Sequence, residues 1–258
     1  MKGPPTRTLP RQVEIEGFQV TAFPDAPSLF ARVVRLARGP RRAVVAYLNV
    51  HVANEARRNE RLREFLCQAD VLYCDGAGIR LGSWILGDPL PTRLTAADWF
   101  VDLLQHLASE RLTVYLLGAD PGVSERARAV LAERIPEHTI IGTHHGYFLT
   151  AAGGEAAVIA EIGRLRPDVL FVGLGTPAQE EWVARHRDVL SAKVLFPIGA
   201  VLDFVSGRVP RCPPWMGRCG IEWVYRLWTE PRRLSGRYLL GNPRFLTRMV
   251  AQRLRPNA

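Results

Sequence analysis

VLFVGLGTPAQEEWVARHRDVLSAKVLFP, residues 169–197, contains two short apolar runs on either side of a segment with helical character. The runs Val169–Val172 and Lys193–Pro197 have the length and apolar composition of buried strands. Between them, Pro177–Val189 carries a proline in its first turn, where a helix tolerates it. A glycine-containing loop, Gly173–Thr176, joins the first run to this helix. The order strand, loop, helix, strand is typical of a parallel sheet covered by helices.

The same alternation extends along most of the chain. A strand–turn start is predicted at Val13–Ala22, further strands at Ala43–Leu48, Val71–Cys74, Leu112–Leu117 and Thr139–Gly142, and helices at Ser28–Ala37, His51–Cys67, Ala97–Ser109, Val123–Arg134 and Glu155–Arg166. We therefore predict an α/β fold over residues 12–205, with a Rossmann-like, mainly parallel sheet and helices on both faces. Asp98 is expected to cap the helix near Trp99. Residues 1–11, rich in Pro, Arg and Thr, are predicted to be disordered.

The last fifth of the chain, residues 206–258, differs from the rest in charge and composition. It contains eleven Arg and two acidic residues, so its formal charge of +9 equals that of the whole chain. Aromatic side chains are interspersed among the arginines, and short helices broken at Pro231 and Pro243 are expected. Arginine mixed with aromatic residues suits an anionic membrane surface, a pyrophosphate or a nucleic acid. We predict a small basic helical appendage here.

The sequence also indicates a compartment. No stretch approaches the roughly 20 apolar residues of a membrane-spanning helix, and the N-terminus lacks the apolar core of a secretory signal. The spacing of the four cysteines does not match a zinc site, so free thiols and no bound metal are expected. We expect a cytoplasmic protein.

Candidate ligand-binding residues follow directly on the predicted strands. Asn49, Asp75 and Gly118 each come after a strand, and so does the loop that begins at Gly173. Tyr147 lies in a further loop of the same kind. Ligands of parallel sheets bind beyond the carboxyl ends of the strands, so these residues are expected to gather in one crevice.

The loop Gly173–Ala178 admits a second interpretation. Its Gly-x-Gly-x-x-Ala pattern between a strand and a helix is typical of dinucleotide binding, which keeps an NAD(P)-dependent oxidoreductase as an alternative. Against this, the following strand ends in Phe-Pro-Ile-Gly and offers no acid to bind a ribose. A third hypothesis, based on the basic tail, is a non-enzymatic membrane- or nucleic-acid-binding module.

Five stretches in one order resemble the WecG/TagA/CpsF family of bacterial glycosyltransferases. They are Asn49 in AYLNVHVANEARRN, Asp75 in LYCDGAGIR, Gly146-Tyr147-Phe148, Gly173–Glu180, and Gly220–Arg226, which runs into Glu230–Arg233. The resemblance implies an inverting transfer of a hexose or N-acetylhexosamine (or its uronic acid) from a UDP-sugar to a polyprenyl-pyrophosphate-linked sugar. Such a reaction belongs to the assembly of cell-surface polysaccharide or wall polymers such as teichoic acid, and N-acetylmannosamine is one candidate sugar.

The resemblance also implies roles for individual residues. Asp75 would be the general base that takes the proton of the acceptor hydroxyl. Tyr147 and Asp203 would bind the uracil. The other substrate-binding residues would be Asn49, Arg93, Gln179, Gly118, Gly173 and Gly175, and the appendage arginines on the diphosphate would be Arg226, Arg232, Arg233 and Arg237.

Two positions depart from the family pattern. Tyr47 stands where the family usually has Thr, and Ala96 where it commonly has Gly, so the donor sugar stays open. No Asp-x-Asp pair occurs, and neither a catalytic metal nor a cofactor is expected; arginines and helix N-termini would offset the charge of the leaving group. The appendage is expected to close over the crevice at the anionic inner face of the cell membrane. No nucleic-acid partner is expected, and a homo-oligomer remains open.

Overall fold

A computed structural model describes residues 11–150 and 152–254 of the chain. The predicted disorder of residues 1–11 therefore lies outside the described residues except for Arg11. The Arg11 side chain pairs with the carboxylate of Asp88 and donates to the carbonyl oxygen of Pro89 at 2.6 Å.

Within the described residues, eight strands form one sheet. The strands are β1 (Gln12–Ile15), β2 (Phe18–Thr21), β3 (Ala43–Leu48), β4 (Val71–Cys74), β5 (Val114–Gly118), β6 (Ile140–His144), β7 (Val169–Gly173) and β8 (Val194–Pro197). Their order across the sheet is β1-β2-β4-β3-β8-β7-β5-β6. The β1–β2 hairpin is antiparallel and the other neighbouring pairs are parallel. The predicted α/β fold with a mainly parallel sheet is confirmed.

Helices cover both faces of this sheet. They are α1 (Ala26–Ala37), α2 (Val50–Ala56), α3 (Glu60–Cys67), α4 (Ala77–Leu86), α5 (Ala96–Ser109), α6 (Val123–Ala132), α7 (Gly154–Leu165), α8 (Ala178–His186), α9 (Val201–Val205), α10 (Pro214–Arg218), α11 (Glu222–Thr229), α12 (Pro231–Ser235) and α13 (Gly241–Arg253). A 3₁₀ turn spans Gly146–Thr150 and a π-helical turn spans Gly236–Leu240. Along β3, Val44 and Ala46 join one apolar cluster and Val45 the other, because successive strand side chains point to opposite faces.

The predicted helix His51–Cys67 is in fact two helices, α2 and α3. The Asn59 side chain accepts a hydrogen bond from the Leu62 N–H at 3.1 Å, which starts α3 as a new helix. Helix α4, which was not predicted, follows directly on the Asp75–Gly76 turn.

The prediction that Asp98 caps a helix is wrong. Helix α5 begins at Ala96, so Asp98 already lies in its first turn, and its side chain makes no cap hydrogen bond. The carboxylate instead pairs with Arg93, 3.4 Å away, and with Arg211 of the appendage.

The last helix, α13, packs as part of the core. Phe245 and Met249 are fully buried and belong to the same apolar cluster as Val44 and Ala46. They lie over Gly82 of α4, where an added Cβ atom would come within 2.8 Å of the Phe245 ring. This close contact between α13 and α4 requires a residue without a side chain.

Polar contacts fix α13 further. Arg248 donates to the Glu16 carboxylate in the β1–β2 turn at 2.5 Å and to Asn54 of α2 at 2.6 Å. The predicted helix break at Pro243 is wrong, because Pro243 is the third residue of α13 and the helix continues through it to Arg253.

Candidate active site

Strands β3 and β4 end side by side and present Asn49 and Asp75. Asn49 is the N-cap of α2, and its Oδ1 accepts a hydrogen bond from the Val52 N–H at 3.0 Å. Its Nδ2 donates to Asp75 Oδ2 at 3.1 Å. One amide therefore starts the helix and fixes the carboxylate, since both ends of its side chain are occupied.

The surroundings of Asp75 set its acidity. Burial raises the pKa of the Asp75 carboxyl to about 6, and the negative charge of Glu222 acts in the same direction. Hydrogen bonds from Asn49 and Thr95 and the positive charge of Arg226 lower it. The group is thus charged at neutral pH and can still accept a proton, as a general base must.

Two glycines after Asp75 bring the ends of α2 and α4 together. Gly76 has φ 93°, a left-handed value that side chains disfavour. A Cβ atom on Gly78 would lie 2.4 Å from Val50 Cγ2. The Asp-Gly-Ala-Gly sequence is therefore what lets the N-terminus of α4 begin directly beside Asp75.

A cavity of about 350 Å³, which we call the first cavity, opens above Asp75. Its lining includes Asn49, His51, Asp75, Arg93 and Thr95 from the core and Gly220, Glu222, Trp223, Arg226, Arg237 and Tyr238 from the appendage. The appendage thus forms one wall. Of the predicted diphosphate ligands, Arg226 and Arg237 reach the cavity, whereas Arg232 and Arg233 are exposed and do not line it. Arg233 pairs with Glu230 at 2.5 Å.

Arg93 lines the first cavity but is already engaged. Its guanidinium donates to Thr95 Oγ1 at 2.5 Å and to the Gly217 carbonyl oxygen at 2.6 Å. It also lies 3.4 Å from the Asp98 carboxylate and 4.0 Å from that of Glu222. In this arrangement Arg93 ties the appendage to the core. Its predicted contact with a phosphate or sugar stays a prediction.

Arg237 is a partly buried arginine of the first cavity wall. It stands on the π-helical turn, a feature often found at functional sites. Its Nε atom is buried and has no hydrogen-bond partner, and burial lowers the pKa of the guanidinium. Because Arg226 and Arg237 both line the first cavity, this side of it is suited to an anion.

A second cavity of about 430 Å³ lies over the ends of β5, β7 and β8. Tyr147, Asp203, Gly173 and Gly175 line it, so four of the predicted site residues meet there. Tyr147 is 54% exposed, which leaves a face of its ring open to a ligand. Because β8 pairs with β3, the two cavities lie over neighbouring strands.

Asp203 in the second cavity is held by an arginine that the sequence analysis did not select. Arg208 donates to Asp203 Oδ1 at 3.1 Å and pairs with Asp120, which lines the same cavity. Burial raises the pKa of Asp203, and Arg208 counteracts that effect. The carboxylate is thus partly neutralised in this structure.

Gly118 does not line either cavity. An added Cβ would meet the Gly173 carbonyl oxygen at 2.3 Å, and its φ is 138°. The next residue, Ala119, lines the second cavity. Gly118 allows the ends of β5 and β7 to approach, and a direct ligand contact stays a prediction.

Gln179 is fully buried and lines neither cavity. Its Nε2 donates to Tyr47 Oη at 3.1 Å and to Glu180 Oε1 at 2.7 Å, and its Oε1 accepts from the Gly199 N–H at 3.0 Å. Tyr47 also contacts Thr176 Oγ1 at 3.2 Å. The structure therefore places Gln179 in a polar network between the two cavities, and its predicted contact with the substrate stays a prediction.

Sequence reasoning missed several residues that line the first cavity, among them Thr95, Glu222 and His51. Thr95 and Glu222 both act on Asp75, and His51 stands two positions after Asn49. His51 and Glu222 lie in the quoted stretches AYLNVHVANEARRN and Gly220–Arg226, and this location was the available signal. Thr95 carries no signal without knowledge of which helix ends converge.

Neither a metal cluster nor a membrane span is found among the described residues. In ranges 11–150 and 152–254, no group of three or more His, Cys, Asp or Glu side chains is arranged to hold a metal ion. Within the same ranges, every helix is too short or too polar to cross a membrane.

Comparisons with known proteins agree with the resemblance. The sequence profile of the family described as Glycosyl transferase WecG/TagA/CpsF matches residues 13–258. A Staphylococcus aureus protein named N-acetylglucosaminyldiphosphoundecaprenol N-acetyl-beta-D-mannosaminyltransferase is 31% identical over 187 residues, which are 72% of this chain and 72% of that protein. A Bacillus spizizenii protein of the same name is 30% identical over 208 residues, which are 81% of this chain and 79% of that protein.

The family match covers the sheet, both cavities and the appendage, so it includes every element that builds the site. The chain belongs to the WecG/TagA/CpsF family and is a glycosyltransferase.

Proposed function

We propose that the chain is an inverting, metal-independent enzyme that moves N-acetylmannosamine, or a related hexosamine, from a UDP-sugar to a polyprenyl-diphosphate-linked N-acetylglucosamine. The names of the two relatives supply the sugar and the acceptor. The observation that carries the proposal is Asp75, whose pKa is about 6 and whose carboxylate Asn49 fixes beside Arg226 and Arg237. A group of this acidity is well matched to general base catalysis near neutral pH.

In the proposed reaction, Asp75 takes the proton of the acceptor hydroxyl while that oxygen forms a bond to the anomeric carbon of the donor. The bond between the anomeric carbon and the diphosphate oxygen breaks, and UDP leaves with the electron pair. The proton on Asp75 then returns to solvent. A single displacement by one base inverts the anomeric configuration, in contrast to two-step mechanisms with a covalent intermediate.

The donor would span the two cavities. The uracil would stack on Tyr147 and donate an N–H to Asp203, which requires Arg208 to shift or to share that carboxylate. The diphosphate would extend past Gly173 and Gly175, whose backbone lines the second cavity, towards the arginines of the first. The spacing of the cavities over neighbouring strands supports this placement.

The charge of the leaving diphosphate would be offset by protein groups. Arg226 and Arg237 face the first cavity, and the N-terminal residues of α4, Gly76 to Gly78, line it as well. A helix N-terminus carries a partial positive charge and free N–H groups. Because these groups are present and the sequence has no Asp-x-Asp pair, we propose that no metal ion is required.

Membrane docking completes the proposal. Trp84 of α4 and Trp228 of α11 are 70% and 79% exposed, and the exposed apolar side chains of the same region are Leu81, Trp215, Val224, Leu239 and Leu240. Exposed tryptophans together with arginines are typical of proteins that bind an anionic membrane surface. We propose that exposed side chains of α4 and the appendage rest on the inner face of the cell membrane and bring the lipid acceptor to the first cavity.

The test is UDP release by the purified full-length protein. The assay contains a panel of UDP-sugars, short-chain prenyl-diphosphate N-acetylglucosamine and EDTA, with Asp75→Asn and the exposed-surface control Asp102→Asn in parallel. Acceptor-dependent release from UDP-N-acetylmannosamine that survives EDTA, persists in the control and is lost in Asp75→Asn is the expected result. Full activity of Asp75→Asn would refute the assigned base, and loss of activity with EDTA would refute metal independence.

A further inference from the structure

His51 is a titratable group in the first cavity to which the proposed reaction gives no role. It stands in the first turn of α2 and its side chain is 27% exposed. Its Nδ1 lies 3.8 Å from Glu55 Oε1 on the next turn of the same helix. The ring lines the cavity together with Arg226 and Arg237.

The charges that face His51 come from several elements. Burial lowers the pKa of His51 most strongly. The pKa is lowered further by the positive charges of Arg237 on the π-helical turn, Arg226 on α11 and Arg233 on α12. Together these effects lower the pKa of His51 to about 4. Glu55 faces the ring from α2, and the other charged groups that line the cavity are Asp75, Arg93 and Glu222. The ring is therefore neutral at pH 7 in the free protein.

This arrangement suits an anion. Arg226 and Arg237 both line the cavity, so their guanidinium groups can donate to a ligand there. A ligand with two adjacent negative charges would satisfy both arginines. A diphosphate diester carries two such charges, and its oxygens accept hydrogen bonds from several donors at once.

We propose that His51 is a third ligand of a diphosphate diester held by Arg226 and Arg237, and that it binds this group in its protonated form. The inference rests on the proposed function, which brings two such diesters to the site: the sugar nucleotide and the prenyl-linked acceptor. The proton comes from solvent when the anion enters. His51 thus acts as a positioning residue, because it contacts the diphosphate and not the atoms that exchange the sugar.

Protonation of His51 and binding of the diester should favour each other. Two negative charges beside the ring favour its charged form, so the pKa of His51 is higher in the complex than in the free protein. Binding then takes up a proton, and affinity rises as pH falls through the interval between the two pKa values. If the interval spans pH 5–7, affinity rises by up to about tenfold per pH unit.

The experiment measures this linkage with diesters, because their phosphates do not titrate in this range. Binding of UDP-N-acetylmannosamine and of geranyl-diphosphate N-acetylglucosamine is measured from pH 5 to 7.5 by calorimetry. Asp75→Asn is the background, since Asp75 itself titrates near 6. His51→Gln is added to it, and His138→Gln, at an exposed histidine, is the matched control. The ¹³Cε1 resonance of His51, identified by its absence in His51→Gln, is followed in parallel.

Asp75→Asn and Asp75→Asn/His138→Gln should gain at least about tenfold in affinity for one diester between pH 7 and pH 5, and Asp75→Asn/His51→Gln should gain less than about twofold. The His51 resonance should move to its protonated position on saturation at pH 6.5. The diester that produces the response shows whether His51 binds the diphosphate of the donor or that of the acceptor. Binding without a response of His51 would overturn this inference and leave the proposed function intact. Failure of both diesters to bind would overturn this inference and also the proposed function.

Discussion

Replacing Asn49 tests the proposal that Asp75 is the general base. The Asn49 amide caps α2 with its oxygen and donates to Asp75 with its nitrogen. Asn49→Ser keeps a capping oxygen, because serine is as good an N-cap as asparagine, but its hydroxyl ends a bond short of the amide nitrogen. Asn49→Ala removes both interactions. The two variants therefore separate the stability of α2 from the acidity of Asp75.

The magnitude follows from the lost hydrogen bond. A hydrogen bond to a charged group contributes about 1.5–3 kcal/mol, and one pKa unit corresponds to about 1.4 kcal/mol. Asp75 is only partly buried, so about half of this effect should remain after solvent screening. We predict that the pKa of Asp75 rises from about 6 by about one unit in both variants.

The base must be unprotonated, so activity is lost as pH falls through its pKa, and a raised pKa moves this loss to higher pH. At pH 6, kcat/KM should fall about fivefold in Asn49→Ser, and at pH 8 by less than about twofold. Asn49→Ala should show the same pH shift and also lose about 1 kcal/mol of unfolding free energy. The measurements are kcat/KM from pH 5 to 9 and urea unfolding. An unchanged acidic limb in both variants would refute the reasoning.

Three further predictions concern packing and charge. Gly118→Ala places a Cβ within 2.3 Å of a backbone carbonyl oxygen and should lower the free energy of unfolding in urea by at least about 2 kcal/mol. Gly236→Ala has open space around the new Cβ, and its free energy of unfolding should be within about 0.5 kcal/mol of wild type. Phe245→Ala should cost about 3 kcal/mol or more, because the ring is fully buried under α4; a small cost would show that α13 is loosely attached. Arg237→Ala should lower kcat about 100-fold with a soluble acceptor, because Arg237 lines the first cavity. Arg244→Ala, at an exposed position of α13, should change kcat less than about threefold. Equal effects of the two variants would contradict the role of Arg237 in the first cavity.

The buried strands were the most predictable part of the fold. β3 and β4 have the predicted bounds Ala43–Leu48 and Val71–Cys74, because a strand covered on both faces is a continuous apolar run with polar ends. Their ends also located Asn49 and Asp75. The remaining strands shifted by one or two residues, as expected where a loop residue extends the pairing.

The helices at the edge of the site were harder to predict. Pro243 and Asp98 carry strong local signals, yet both were assigned the wrong role. Pro243 lies where a helix tolerates proline, and Asp98 finds Arg211 as a partner across the fold. Local preferences of this kind contribute about 1 kcal/mol to helix stability. Packing and ion pairs between distant residues can outweigh them.

The sequence by itself determined the α/β fold, the position of Asn49 and Asp75 at strand ends, and the basic character of the appendage. These properties follow from local apolar patterning and from the geometry of parallel sheets, which need no knowledge of distant contacts. Only the tertiary structure decided that Arg226 and Arg237 reach the first cavity while Arg232 and Arg233 do not. It also decided the raised pKa of Asp75 and the proximity of His51 to the arginines, because burial and charge separation depend on how α13 anchors the appendage against the core.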